Sequence, residues 1–137
     1  MDAEITYPTS TTFTYQGDTS TLNQVRSDLR SYLEAHDIKA LIPDAELVLS
    51  ELASNAIEAS PLQPFDVALR IEPGILVIVV ANLSTAEIPD ESAWKPDRML
   101  APSGRGLSIV NALSASVSVA SESGRVVVTA TLAMNDR

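Results

Sequence analysis

The sequence predicts a two-layer α/β sandwich, with helices on one face of a mixed, mostly antiparallel sheet. Three observations carry this expectation. Helical periodicity fills the first half of the chain, and strand-like runs dominate the second. Neighbouring strands are joined by tight turns at Pro73-Gly74 and around Ser123-Gly124, where a parallel sheet needs crossover helices. One helix is apolar on more than one side, so it needs a layer above it and another below.

Each element has a local reason. Met1–Ser10 is polar and expected to be loose, leaving 11–137 as a single domain. Thr11–Tyr15 is rich in threonine and aromatics and reads as a strand closed by Gly17. Asp18, Thr19 and Ser20 offer N-caps to a helix with the apolar stripe Leu22, Val25, Leu29, Tyr32 and Leu33. Pro43 suits the first turn of a second helix, with Asp44 and Glu46 near its positive dipole end. That helix runs to about Ser60 and carries Leu47, Val48, Leu49, Leu52, Ala53, Ala56 and Ile57 around much of its circumference. Pro61 and Pro64 end it. Val67, Leu69 and Ile71 alternate with more polar positions in a half-buried strand. Ile75–Ala81 is uninterrupted and reads as a strand buried on both faces. Ser118–Ser121 and Val126–Leu132 are two further strands, and Gly106–Leu113 is a third helix.

Composition removes whole classes of function. With no cysteine, the chain has no thiol catalysis, disulfide framework or cysteine-ligated zinc. Eighteen acids against nine basic residues give a net charge of −9, which argues against direct binding to nucleic acid. The longest apolar run, Ile75–Ala81, falls far short of the ~20 residues that span a bilayer. The start of the chain has no basic, then apolar, leader pattern, so a cytoplasmic location is expected.

Three features stand above this background. Glu51 and Asn55 are four residues apart and share a face of the apolar helix. Spacing alone leaves open whether they form a site, or whether Asn55 bonds nearby backbone and Glu51 pairs with an arginine. Gly104-Arg105-Gly106-Leu107 opens a helix, where free backbone N–H groups and an arginine fork suit an anion; an ordinary loop-to-helix junction has the same look. The 22 residues from Asn82 to Ser103 hold Pro89, Pro96, Pro102, Trp94, Lys95 and Arg98. Such a length suits a lid over an anionic ligand, or a surface loop.

The order of these features is that of the GHKL, or Bergerat-fold, ATPase domain of gyrase, heat-shock chaperones, MutL and histidine kinases. From about Phe13 to Ala133 the chain closely resembles the stand-alone anti-sigma-factor serine/threonine kinases of bacteria. Asp44–Ala56 looks like that family's N box, and Gly104–Leu113 like its second glycine box. The resemblance implies ATP and Mg²⁺ as ligands, with the amide oxygen of Asn55 on the metal and Glu51 as general base. It places the nucleotide phosphates at Gly104, Arg105, Gly106 and Leu107 beneath a lid at about 83–103 that carries Lys95 and Arg98. Asn82 takes the place of the Asp that reads the adenine amino group, and Ser84 and Ala86 stand where the first glycine box has glycines. Ala59 and Ala115 replace a histidine and an acid common in the family.

The implied function is a regulatory kinase, its partners being named by the same resemblance: a sigma factor that it sequesters, and an anti-sigma-factor antagonist that it phosphorylates as a homodimer. The alternative is a non-catalytic partner-switching module whose ATP site has degraded.

Overall fold

The computed structural model describes residues 9–60, 62–82, 113–122 and 125–134. Strand β1 (Ser10–Tyr15) leads through a 3₁₀ turn (Thr19–Thr21) into α1 (Leu22–Ala35) and α2 (Ile42–Ala59). The β2 (Phe65–Glu72) and β3 (Ile75–Asn82) hairpin follows, then the hairpin of β4 (Ser116–Glu122) and β5 (Arg125–Ala133). The strands form one sheet in the order β1-β2-β3-β5-β4. Every pairing among the described residues is antiparallel, so the sheet is simpler than the mixed one expected.

The helical layer starts where Asp18 caps the 3₁₀ turn, its carboxylate accepting from Ser20 N at 3.0 Å. The Thr21 hydroxyl donates back to the carbonyl of Asp18 at 2.8 Å, and α1 proper begins at Leu22. Val25, Leu29, Tyr32 and Leu33 form its buried side, as the stripe requires. Pro43 lies in the first turn of α2. This helix packs against α1 on one side and against β3 and β5 on the other. Leu47 departs from the expected burial: it is 44% exposed, because it lies on the narrow outer strip of α2 that neither layer covers. Glu46 reaches across to α1, where Arg30 donates to it at 2.6 Å.

The hairpin at Pro73-Gly74 turns through Gly74 at φ 79°, a left-handed conformation that costs glycine little. The strand boundaries moved slightly from expectation. Pairing with β5 starts β4 at Ser116, two residues early, because Ser116 has Thr131 opposite. Similarly β3 runs on to Asn82, which stands opposite Phe65. Residues 9 and 10 are also firmly held, against the expected loose segment. The Thr9 carbonyl accepts from Ile71 N at 2.8 Å and from the Tyr32 hydroxyl at 2.6 Å.

At the far end of α2 the chain turns back under β1. Leu62 N donates to the Gly17 carbonyl at 2.9 Å, with Leu62 itself at φ 69°. A methyl group on Gly17 would stand 2.3 Å from the Gln63 carbonyl oxygen. Gly17→Ala should therefore cost about 1–3 kcal/mol, read as a lowered urea midpoint with unchanged slope; an unaltered midpoint would refute this close approach.

Burial pushes the Tyr32 phenol above its ordinary value of 10.0. The neutral ring therefore stabilises the fold in full below pH 10, and that contribution is lost as pH rises through the raised folded-state value. In Tyr32→Phe, the fall in urea midpoint between about pH 9 and pH 12 should be shallower than in wild type. Identical slopes would show that Tyr32 does not drive the alkaline loss.

Candidate functional site

The middle of α2 faces the C-terminal end of β3 and the start of β5. Leu52, Asn55, Ala56, Val80, Asn82, Val126 and Val128 line a cleft there enclosing about 10 Å³, room for one water-sized group. All but two of these side chains are hydrocarbon. The two amides are held on opposite walls, Asn55 by the helix and Asn82 by the strand.

Asn55 is only 4% exposed. Its Nδ2 donates to the Glu51 carbonyl one turn back, at 2.7 Å. Its Oδ1 is buried and has no hydrogen-bond partner; among the described residues only Ser114 Oγ shares that condition. Leaving such an acceptor unmet costs about 1–3 kcal/mol. The local backbone bond thus accounts for one end of the amide and leaves the other unexplained.

An unmet amide oxygen on a cleft wall fits a hard cation such as Mg²⁺, which takes oxygen ligands and keeps several from water and phosphate. Among the described residues there is no group of three or more His, Asp or Glu that could form a cage around a metal. A cation at Asn55 would draw its remaining ligands from elsewhere, as one shared with a phosphate does.

Glu51 lies one helical turn before Asn55 and is half-buried. Its carboxylate makes no hydrogen bond or ion pair among the described residues, and no arginine of those residues neutralises it. It does not line the enclosed cleft with Asn55 and Asn82. Gly104, Arg105, Gly106, Leu107, Lys95 and Arg98 lie outside the described residues, as does the third helix up to Leu113.

Residues 15–132 match the family model of the histidine kinase-like ATPase domain. The chain belongs to this family. None of the curated proteins compared matches it. Among solved structures it is similar to the Acinetobacter baumannii histidine kinase AdeS, with a TM-score of 0.53 and 13% identity. That alignment covers 90% of this chain and 68% of the other, a likeness of fold. Family membership implies ATP as the bound nucleotide, typically with Mg²⁺. No helix of the described residues is long and apolar enough to cross a membrane.

In this ATPase domain two residues beside Asn82 escaped the sequence reading. Asn82 is 5% exposed, and its Nδ2 donates to Ser60 Oγ at 3.4 Å. That contact leaves Asn82 Oδ1 as the amide's acceptor. Arg125 Nε donates to the Asn82 carbonyl at 3.4 Å, and the same guanidinium lies 3.6 Å from the Asp66 carboxylate. Ser60 and Arg125 are thus positioning residues that hold the amide and the strand end beneath it. Neither had a sequence signal: one follows a helix, the other opens a strand, and only pairing brings them to Asn82.

The orphaned oxygen yields a double expectation. Asn55→Ala removes an unmet buried acceptor, so the apo protein should change in stability by less than about 1 kcal/mol. Mg²⁺-dependent nucleotide binding should meanwhile be lost by calorimetry. Undiminished Mg-ATP affinity in the variant would remove Asn55 from any metal role.

Proposed function

We propose that this ATPase domain is a regulatory protein serine/threonine kinase of the anti-sigma type. It binds ATP with Mg²⁺, acts as a homodimer, sequesters a sigma factor and phosphorylates an anti-sigma-factor antagonist. The observation that best supports the nucleotide part is the buried, unpartnered Oδ1 of Asn55 across the cleft from Asn82. The resemblance in the N box and second glycine box supports the rest. The chain's −9 charge also suits control through protein partners over direct contact with nucleic acid.

In this reading Asn82 Oδ1 accepts from the adenine amino group, with Ser60 bracing the amide. Gly104, Arg105, Gly106 and Leu107 take the phosphates, and the segment at about 83–103, with Lys95 and Arg98, closes over them. Mg²⁺ at Asn55 supplies neutralisation of phosphate charge. Glu51 accepts the proton of the antagonist's serine hydroxyl as its oxygen bonds to the γ-phosphorus. The bond from that phosphorus to the bridging oxygen breaks, ADP leaves with the electron pair, and the proton stays on Glu51. A carboxylate that pairs with no arginine of the described residues is suited to that task.

A second reading, a partner-switching module without catalysis, is favoured by one observation. The acceptor at position 82 is a neutral amide, and Ser84 and Ala86 supply none of the first box's glycines.

One pair of variants separates the two. A charged acceptor gains about 1 kcal/mol over a neutral one, so Asn82→Asp should tighten ATP binding roughly fivefold. Glu51→Gln should leave ATP affinity within about twofold while eliminating phosphate transfer to a serine-bearing antagonist. If neither wild type nor Asn82→Asp binds ATP at millimolar concentration, the chain acts by occupancy of its partner alone.

A further inference from the structure

Residues 51–55 of α2 hold polar side chains that the rest of the described chain leaves unmet. The Glu51 carboxylate makes no hydrogen bond or ion pair among the described residues, and the Ser54 hydroxyl makes no hydrogen bond there. The Oδ1 of Asn55 is buried without a partner. A hydroxyl inside a helix commonly turns back on the carbonyl four residues earlier, and that of Ser54 does not. The serines on either side are employed. Ser50 Oγ accepts from Arg26 Nη1 at 3.2 Å, and Ser60 Oγ accepts from Asn82 Nδ2 at 3.4 Å.

Glu51 and Ser54 are both half-buried and stand on the strip of α2 that carries Leu47, outside the enclosed cleft. Residues three apart on a helix hold their Cβ atoms ~5–6 Å from one another. Rotation of the two side chains closes that gap to a hydrogen bond. The pair is therefore a nucleophile beside a base. In the functional reading above, Glu51 serves the γ-phosphate of ATP. The free hydroxyl next to that base belongs to the chain itself.

Arg26 supplies what a phosphate at this point requires. Its guanidinium bonds two neutral groups, Ser50 Oγ and, at 2.6 Å, Asn23 Oδ1, and it pairs with no carboxylate among the described residues. Arg30, one turn away, is committed to Glu46 at 2.6 Å. Ser54 follows Ser50 by one turn on the same side of α2. A phosphate on Ser54 has an uncompensated cation within about the ~5.4 Å of one helical turn.

We propose that Ser54 is a site of self-phosphorylation, to which this chain transfers the γ-phosphoryl group of its own bound ATP. The inference rests on the kinase reading and adds the regulation of that site. Ser54 Oγ bonds to the γ-phosphorus as its proton passes to Glu51. The bond from that phosphorus to the bridging oxygen breaks, its electron pair leaves with ADP, and the proton stays on Glu51. The new phosphate stands beside Glu51 and next in sequence to Asn55. There it repels the γ-phosphate of a second ATP and obstructs the approach of a foreign serine. One transfer closes the site.

Intact mass and peptide mapping of the full chain after incubation with Mg-ATP test this. Wild type should gain one phosphate, on Ser54, at a rate independent of protein concentration. Ser54→Ala and Glu51→Gln should gain none, and Ser54→Thr, which keeps a hydroxyl, should regain it. The modified protein should bind Mg-ATP more weakly than the unmodified one by on the order of tenfold, read by calorimetry. A wild type that binds and consumes ATP yet stays unmodified would overturn the proposal and leave the kinase reading standing. So would phosphate on another residue, or a rate that rises with protein concentration. Equal ATP affinity before and after modification would remove the closing role. A chain that binds no ATP fails both readings, and calorimetry on the untreated protein identifies that case.

Discussion

Helix α2 has to be buried twice, once under α1 and once over the sheet, and the remaining elements are placed by that requirement. Nine of its eighteen residues are buried. A helix so enclosed leaves little room for polar side chains, and each one admitted has to meet a partner or carry a penalty. Asn55 satisfies only half of its amide with the turn beneath it. The fold therefore keeps a desolvated oxygen at fixed height on a rigid wall. A ligand that meets this oxygen recovers the missing interaction without ordering a loop to do so.

The opposite wall is rigid for a different reason. Strand β3 is paired on both sides, with β2 and with β5, so its end cannot shift independently of the sheet. Arg125 adds a tie between the Asn82 carbonyl and Asp66, linking β5, β3 and β2 at one level. The separation of the two amides is thus set by how α2 lies on β3 and β5. Both walls belong to the core, and the cleft inherits its stiffness.

Much of this was legible in sequence because it follows from short-range chemistry. Pro43 and the two-sided apolar pattern placed α2, and the polar interruption at Asn55 marked the cleft wall, while Glu51, one turn earlier, stays outside the cleft that Asn55 lines. Pro73-Gly74 located a turn, and the run from Ile75 located the central strand. The misses share a cause in long-range pairing. Asn82 became a strand residue because Phe65 stands across from it, and Ser116 joined β4 because Thr131 does. Leu47 looked like core in a helix that was apolar nearly all round, and only the angular limits of the two layers left it outside. Ser60 and Arg125 reach Asn82 across 22 and 43 residues of sequence, a distance over which no local pattern carries information.

The amide at position 82 has one more consequence. A carboxylate can only accept, so it selects a base edge that donates. An amide offers an acceptor and a donor, and a half-turn about its last bond exchanges them. Ser60 does not prevent the exchange, because a hydroxyl can receive a hydrogen bond from Nδ2 or give one to Oδ1. In the proposed nucleotide site, the difference between a purine carrying a 6-amino group and one carrying a 6-oxo group would be reduced to the reversal of one side chain. Discrimination between adenine and guanine nucleotides would then fall to the other groups that surround the base.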